Sequence, residues 1–183
     1  MQLFEGRPQG PDEVQGRQER ELRVYDLLDG LGISYQRTDH EAANTMEACE
    51  EVDRTLDVVM CKNLFLCNRQ QTQFYLLMMP GDKPFKTREI SGQIGSARLS
   101  FGTGEKMTEL LDIHPGAVSV MGLMNDHDNQ VQLLVDEDVL AEEYLGVHPC
   151  VNTSSLKLRG QDVWEKFLPA VHHEMKVVHL TGI

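Results

Sequence analysis

Met60-Cys61-Lys62-Asn63-Leu64-Phe65-Leu66-Cys67 is the segment around which the chain is organised. It is apolar throughout except for Lys62 and Asn63. A second apolar run, Phe74–Met79, follows after a short polar connection. Two such runs so close together predict a buried antiparallel pair of strands. Lys62 stands at the start of the first strand, where a buried ammonium is costly unless it is paired or faces a solvent-filled pocket. Two interpretations stay open: a strand-end lysine that reaches back to water, or part of a functional site.

Length and composition predict one domain with an ordinary soluble core. The chain has 183 residues, of which 40% are hydrophobic and 25% are charged, values typical of globular proteins. No apolar run approaches the roughly 20 residues of a membrane helix. The N-terminus has no basic region followed by an apolar segment, so we expect a cytoplasmic protein without membrane contact. Residues 1–16, rich in Gly, Pro and Gln, predict a flexible arm, and residues 17–183 a single folded domain.

The cysteines and histidines do not suggest a metal or redox centre. The four cysteines have no CxxC spacing, and the seven histidines form no HxxxH or HExxH pattern. Two of the cysteines lie in apolar runs, where a free thiol behaves as a small hydrophobic side chain. We therefore expect reduced structural thiols, no metal and no cofactor.

The order of the predicted elements indicates the fold class. Apolar spacing predicts a helix from Arg17 that Gly30 stops, a strand over residues 33–38, and a helix from Thr45 to Arg54. Residues 117–120 are interpreted as a short strand, and a helix capped by Asp136 or Asp138 is expected to reach Leu145. Strands and helices intermix without a regular βαβ period. This predicts a mixed α/β (α+β) domain with a largely antiparallel sheet flanked by helices.

The charge of the chain is unevenly distributed. A net charge of −12 argues against a protein that coats nucleic acid nonspecifically. Between Lys62 and Lys106, however, there are seven Lys and Arg residues and three acidic residues. This segment therefore has a net charge of +4, and the remainder of the chain has a net charge of −16. Such a patch can hold one short phosphate-bearing segment, although a chance fluctuation on solvated faces is the alternative. The candidate phosphate contacts are Lys83, Lys86, Arg88 and Arg98.

Three loops after the Lys62 strand combine small, flexible backbone with a polar side chain. They are residues 99–102 with Ser100, residues 116–126 with Ser119 and Asn125, and residues 148–153 with Asn152. Glycines let a backbone approach a ligand closely, and exposed loop amides and carbonyls bind polar ligands without an ionised side chain. Each loop taken singly is more often only a turn.

Together these segments resemble a known family. The YbaK/ProX-like family contains the same segments in the same order. They are Lys62-Asn63-Leu64-Phe65-Leu66, residues 82–86, Leu99-Ser100-Phe101, Pro115 to Ser119, Gly122-Leu123 with Asn125-Asp126, and His148-Pro149 with Asn152-Thr153. These are aminoacyl-tRNA editing domains related to the insertion domain of bacterial prolyl-tRNA synthetases. The resemblance runs from about Arg20 to Leu168 and is nearest to the ProX (PrdX-like) prolyl-tRNA editing branch.

The resemblance implies hydrolysis of the ester that joins a wrong amino acid to the 3′ end of tRNA. The leading substrate is alanine on tRNA(Pro), with cysteine or another small residue second. The strand lysine, here Lys62, is the residue most tied to activity in the family, and the glycine loop, here from Gly116, lines the ester pocket. Val120 stands where the family commonly has proline, which would fix φ. The substrate-binding residues implied are Asn63, Ser100, Ala117, Val118, Ser119, Val120, Asn125, His148 and Asn152.

The residues themselves suit this chemistry. An aminoacyl ester is already activated, so a cation for the developing oxyanion and loop amides that orient water can suffice without a strong protein nucleophile. The expected partner is the acceptor 3′ end of aminoacylated tRNA, with a synthetase or translation factor as a further possibility and no DNA. The alternatives are a noncatalytic regulatory module that binds an amino acid or aminoacyl-tRNA, and, with little support, a cysteine-based redox enzyme.

Overall fold

The computed structural model of the protein describes residues 1–42 and 45–183. Nine strands lie within these residues, among helices that are mostly short. The strands are β1 (Leu3–Glu5), β2 (Tyr35–Asp39), β3 (Lys62–Cys67), β4 (Phe74–Met79), β5 (Ser100–Phe101), β6 (Val131–Asp136), β7 (Tyr144–Val147), β8 (Ser154–Arg159) and β9 (Met175–Val178). The α-helices are α1 (Gly10–Val14), α2 (Glu19–Gly30), α3 (Met46–Leu56), α4 (Thr87–Ser91), α5 (Gly104–Leu111), α6 (Glu137–Leu140), α7 (Gly160–Asp162) and α8 (Leu168–Ala170), with a 3-10 helix at Val120–Asn125 and a π-helix at Val163–Phe167.

The predicted hairpin forms the centre of a five-stranded sheet. β3 and β4 pair antiparallel, with Lys62 opposite Met79 and Cys67 opposite Phe74. Asn68 closes the turn, because its Oδ1 accepts hydrogen bonds from the backbone N–H of Thr72 and Gln73 at 2.8 and 3.1 Å. The strand order is β5-β3-β4-β6-β9, antiparallel on the β5 side and parallel from β4 to β9. The expectation of a mixed α/β fold with antiparallel pairing is confirmed.

A second, four-stranded sheet is antiparallel throughout, in the order β1-β2-β8-β7. Its edge strand corrects one expectation, since the predicted flexible arm instead contributes β1 and α1. Leu3 pairs with Thr38, and the Arg37 guanidinium lies 4.4 Å from the centroid of the Phe4 ring. The Gly- and Pro-rich composition of residues 1–16 gave no indication of β1. This three-residue strand is stabilised by its pairing with β2.

The main core lies between the two sheets and is closed by helices. Helix α2 contributes Val24, Tyr25 and Leu28, each at most 1% exposed. A smaller core on the other face of the five-stranded sheet contains Ile90 of α4 and Leu180 of the C-terminal segment. Alternate residues of the central strands therefore face two different cores, which explains their nearly continuous apolar sequence.

The two sheets meet at the entrance to β3. Met60 forms an isolated parallel bridge with Gly146 of β7, and the Cys61 N–H donates to the Gly146 carbonyl at 3.2 Å. A Cβ at Gly146 would lie 2.5 Å from the Met60 sulfur, so this close approach requires glycine. The contact holds Lys62, two residues after Met60, near His148, two residues after Gly146.

Two local predictions were wrong. Residues 117–120 do not form a strand; Val120 begins the 3-10 helix, which Ser119 caps by accepting from the Met121 N–H at 3.1 Å. The helix capped by Asp136 ends at Leu140, because residues 144–147 pair with β8 instead. Within the described residues, no helix is long and apolar enough to cross a membrane.

Candidate functional site

A cleft of about 710 Å³ lies where the two sheets meet. Four residues that the sequence singled out line it: Lys62, Gly116, His148 and Asn152. They come from the start of β3, from the loop after α5, and from the segment between β7 and β8. Residues separated by as much as 90 positions along the chain thus share one concave surface, as expected of a binding or catalytic site.

Lys62 is held at the mouth of this cleft by one hydrogen bond. Its Nζ donates to the Lys83 carbonyl oxygen at 2.7 Å. An ammonium has three N–H donors, so two remain for a ligand. Lys62 has no salt bridge to the described residues, and its side chain is partly buried. This geometry favours the interpretation of Lys62 as a site residue over that of a strand-end lysine extended into water.

Gly116 and Asn152 form another wall of the cleft. Gly116 has φ +95°, in the left-handed region that favours glycine. A Cβ built there would lie 3.5 Å from the Asn152 side-chain nitrogen. The bare backbone of Gly116 therefore faces a side-chain amide across a van der Waals contact, and polar groups of both residues border the same space.

His148 belongs to a hydrogen-bonded chain of three side chains. Its Nδ1 lies 3.1 Å from the Ser154 carbonyl oxygen, which can only accept, so Nδ1 carries the proton. The same nitrogen lies 3.4 Å from Ser155 Oγ, which in turn lies 2.8 Å from His40 Nε2. His40 Nδ1 lies 2.7 Å from the Glu41 carbonyl oxygen, so in neutral His40 the Nε2 atom accepts from Ser155.

Burial of the ring and the hydrogen bond from Nδ1 together determine the protonation of His148. Burial lowers the pKa of His148, the Ser154 carbonyl partly offsets this, and the positive charge that His40 carries when it is protonated lowers the pKa further. His148 is therefore neutral near pH 7, with Nδ1 protonated and Nε2 left as an acceptor. Nε2 has no hydrogen-bond partner among the described residues.

His40 and Ser155 are cleft residues that the sequence analysis missed. They meet because Thr38 of β2 pairs with Ser155 of β8, and the His40 N–H continues that ladder to the Thr153 carbonyl at 3.0 Å. The only available signal was the polar pair of Ser154 and Ser155 at the start of an otherwise apolar strand. A register between strands over 100 residues apart cannot be read from such a signal.

Acidic side chains complete the lining of the cleft. Glu50, Asp53 and Asp82 border it, together with the apolar residues Val52, Val59 and Met60. One carboxylate oxygen of Asp53 is buried without a hydrogen-bond partner among the described residues. Burial raises the pKa of Asp53, the Met60 backbone opposes this, and Glu50 adds to it. The cleft thus offers carboxylates to a positively charged ligand group, as well as the Lys62 ammonium to a negative one.

Other residues expected to bind substrate lie outside this lining. Asn125 donates from Nδ2 to the Leu111 carbonyl at 2.8 Å, and Asn63 donates to the Cys61 carbonyl at 3.1 Å. Ser119 and Val120 are fully buried. The residues that the structure does not bring to the cleft surface are Asn63, Ser100, Ala117, Val118, Ser119, Val120 and Asn125.

Val120 and Ser119 instead anchor the loop that carries Gly116. Val120 is 0% exposed in the main core, and Ser119 caps the 3-10 helix that follows. The rigidity that the family commonly obtains from proline is supplied here by burial and a side-chain cap.

The four candidate phosphate contacts separate into two groups. The Lys83 ammonium donates to Asp136, Asp138 and the Leu180 carbonyl at 2.7, 2.7 and 2.8 Å. Burial opposes its charge, but the two carboxylates outweigh burial and raise the pKa of Lys83. The three N–H donors of the Lys83 ammonium are therefore bound within the fold and are not available to a phosphate.

The other three cations line a surface that adjoins the cleft. Lys86 and Arg88 border a cavity of about 610 Å³ together with Lys62, and Arg88 and Arg98 border a further cavity of about 470 Å³. In the part of the chain that the structure describes, Lys86, Arg88 and Arg98 form no ion pair within 4 Å. No ion pair with a described carboxylate holds them, and Lys86 interacts with Glu89 only over a longer distance.

Two of the thiols, that of Cys61 in the cleft lining and that of Cys150 outside it, are poorly suited to redox chemistry. Burial, with a contribution from Glu142, raises the pKa of Cys61 to about 12, and burial raises that of Cys150 to about 12. A thiol with so high a pKa carries almost no thiolate at neutral pH.

The fold and the sequence of this chain are similar to those of known proteins. A solved structure of a candidate trans-editing enzyme for prolyl tRNA synthetase superposes with a TM-score of 0.66 at 14% identity, covering 90% of this chain and 99% of that one. The prolyl-tRNA editing protein ProX of Acetoanaerobium sticklandii is 30% identical over 154 residues, which span 84% of this chain and 93% of the relative. The prolyl-tRNA synthetase associated domain-containing protein 1 of Mus musculus is 25% identical over 151 residues, 80% of this chain and 88% of the relative.

The fold is thus shared with proteins of the trans-editing class. The family model of the aminoacyl-tRNA editing domain matches residues 40–165. The chain belongs to the aminoacyl-tRNA editing domain family, as the sequence motifs predicted.

Proposed function

We propose that this protein is a trans-editing aminoacyl-tRNA deacylase that removes alanine mischarged onto tRNA(Pro). The observation that carries the proposal is the convergence of Lys62, Gly116, His148 and Asn152 on one cleft. The family supports action on aminoacyl-tRNA, and the name of the Acetoanaerobium relative supports tRNA(Pro).

Lys62 stabilises the negative charge of the reaction. Water attacks the ester carbonyl carbon, and the carbonyl oxygen becomes an oxyanion. Because one Lys62 N–H is bound by the Lys83 carbonyl, the ammonium is oriented before substrate arrives, and its two other N–H groups can donate to this oxyanion. Preorganised donors of this kind contribute about 3–4 kcal/mol to transition-state stabilisation. The ester bond then breaks, the ribose oxygen takes the proton that water gives up, and free amino acid leaves.

His148 orients the reacting groups. Its neutral Nε2 accepts a hydrogen bond from the attacking water or from the α-ammonium of the aminoacyl group, while Ser155 and His40 hold the ring. The Gly116 backbone and the Asn152 amide contact the same aminoacyl group from the opposite wall. No strong protein nucleophile is required, because the adjacent ribose hydroxyl assists the water.

Selectivity follows from steric exclusion. A pocket rejects a side chain that is too large far better than one that is too small. The apolar wall of Val52, Val59 and Met60 accommodates the methyl group of alanine. The larger, rigid ring of proline is expected to meet this wall or the Gly116 loop, so that correctly charged tRNA(Pro) survives.

The test is deacylation of Ala-tRNA(Pro), Pro-tRNA(Pro) and Ala-tRNA(Ala) under single-turnover conditions. We expect selective loss of alanine from tRNA(Pro). Hydrolysis of another aminoacyl-tRNA in its place would refute the assigned substrate. Tight binding of aminoacyl-tRNA without turnover of any substrate would refute the enzyme and support the regulatory module instead.

A further inference from the structure

Phe101 is an unusual surface residue. It lies on the short edge strand β5 and is 63% exposed. Its ring packs edge-on against Phe85, with centroids 6.1 Å apart and an interplanar angle of 63°. Phe85 in turn packs against the smaller core. An exposed phenyl ring is therefore supported from below by an anchored one and leaves a face open to solvent.

The Phe101 ring shares a cavity with cations. Phe101 and Phe85 line the 610 Å³ cavity with Lys62, Lys86 and Arg88. Among the residues that the structure describes, no Asp or Glu lines this cavity or the adjoining one at Arg98. Glu89, which follows Arg88 in α4, accepts a hydrogen bond from the Thr181 N–H at 2.8 Å, and its charge also interacts with that of Lys86. On a chain with a net charge of −12, this is a local concentration of positive charge.

The cavities form a continuous track. Lys62 lines both the large cleft and the Phe101 cavity, and Thr87 and Arg88 line both the Phe101 cavity and the cavity at Arg98. A ligand that places its ester at Lys62 therefore reaches the aromatic surface next and the free arginines after it. An aromatic face flanked by cations is how proteins hold unpaired nucleotides.

We propose that Phe101, supported by Phe85, is a stacking platform for the unpaired terminal adenine of the tRNA 3′ end. Lys86, Arg88 and Arg98 then contact the phosphates that precede it. This inference rests on the proposed function for its ligand, but the subsite is defined by residues that lie outside the ester cleft.

The experiment uses a short RNA hairpin that ends in unpaired C-C-A, uncharged, with 2-aminopurine in place of the terminal adenine. Stacking on Phe101 should quench the 2-aminopurine fluorescence when the hairpin binds. Base stacking on an aromatic side chain changes affinity by about 5- to 150-fold on alanine substitution. We therefore expect Phe101→Ala to weaken binding within this range and remove the quench, and Phe101→Trp to retain both.

Two further variants separate stacking from charge and from general surface effects. Phe101→Ala should leave the salt dependence of binding unchanged, whereas Arg88→Ala should reduce its log–log slope by about one. Tyr144→Ala is the matched control, since Tyr144 is a 40% exposed aromatic that lies near Lys157 but lines none of the three cavities of the track. It should leave hairpin binding unchanged.

Unchanged affinity and quench in Phe101→Ala would overturn the platform. Because the hairpin carries no amino acid, this outcome is distinguishable from failure of the proposed function, which appears as absent deacylation by the wild-type protein. For the same reason, a lost quench in Phe101→Ala supports the platform whether or not the wild-type protein deacylates.

Discussion

Gly116→Ala perturbs the cleft through the backbone alone. The new Cβ would lie 3.5 Å from the nearest heavy atom, the Asn152 nitrogen, which is ordinary van der Waals contact. The cost therefore comes from φ +95°, which an L-residue adopts at about 1–2 kcal/mol. For a domain of this size, such a loss lowers the Tm by about 2–8 °C. Relief of the strain would shift the Gly116 backbone relative to Asn152, so we also expect a lower kcat/KM for deacylation.

Two other glycines provide controls for this prediction. Gly16 has φ +85° and no atom within 4 Å of a built Cβ, so Gly16→Ala should cost similar stability without changing activity. Gly30, in helix α2, has open space around its Cβ and an ordinary φ, so Gly30→Ala should be neutral or stabilising. Thermal unfolding and single-turnover deacylation are measured on all three variants. If Gly116→Ala unfolds at the same temperature as Gly30→Ala, the backbone at Gly116 is not strained by alanine. If Gly116→Ala keeps the wild-type kcat/KM, the Gly116 backbone does not shape the reactive cleft.

Three further predictions concern the hydrogen-bonded and charged networks. Burial would raise the pKa of Asp39, but hydrogen bonds from Arg17, Arg37 and Ser154 outweigh it and lower that pKa to about 2. At pH values above the pKa of Asp39 in the unfolded chain, near 4, the carboxylate therefore contributes about 2 kcal/mol to the free energy of unfolding, and this contribution is lost as the pH falls toward 2. Urea titrations between these pH values should show that Asp39→Asn loses less stability than the wild-type protein. The His173 Nε2 atom lies 2.9 Å from the Asp126 carboxylate in a fully buried pair, and His173→Ala leaves this carboxylate without its partner. Urea unfolding should show that the free energy of unfolding falls by about 3 kcal/mol or more. A fall of less than about 1 kcal/mol would contradict the pairing. Ser155→Ala frees the His148 ring from His40; we expect a several-fold lower kcat with little change in Tm, and an unchanged kcat would remove Ser155 from the site.

Local signals in the sequence predicted much of the fold. The β3–β4 hairpin followed from two apolar runs and a polar turn. The helix expected to begin at Thr45 does so, and Thr45 caps it by accepting from the Ala48 N–H at 3.1 Å. Gly30 ends α2 as expected. In each case the decisive interaction lies within a few residues along the chain, where spacing alone carries the information.

Interactions between distant segments could not be predicted in this way. Residues 144–147 form a strand because β8 offers them a hydrogen-bonding partner. Strand β1 depends on β2 for the same reason. In the candidate site, Lys62, Gly116, His148 and Asn152 were found through family motifs. His40 and Ser155 were missed because only the β2–β8 register brings them together.

The most direct test of the account is hydrolysis of Ala-tRNA(Pro) by Lys62→Ala beside Lys157→Ala. Lys157 is a matched control, since it is also a strand lysine whose ammonium donates to a loop carbonyl, that of Asp57 at 3.2 Å, but it lies outside the cleft. We predict that Lys62→Ala lowers the single-turnover rate by about 100-fold or more with unchanged unfolding, and that Lys157→Ala keeps the wild-type rate. Equal rates in the two variants would contradict the central role of Lys62.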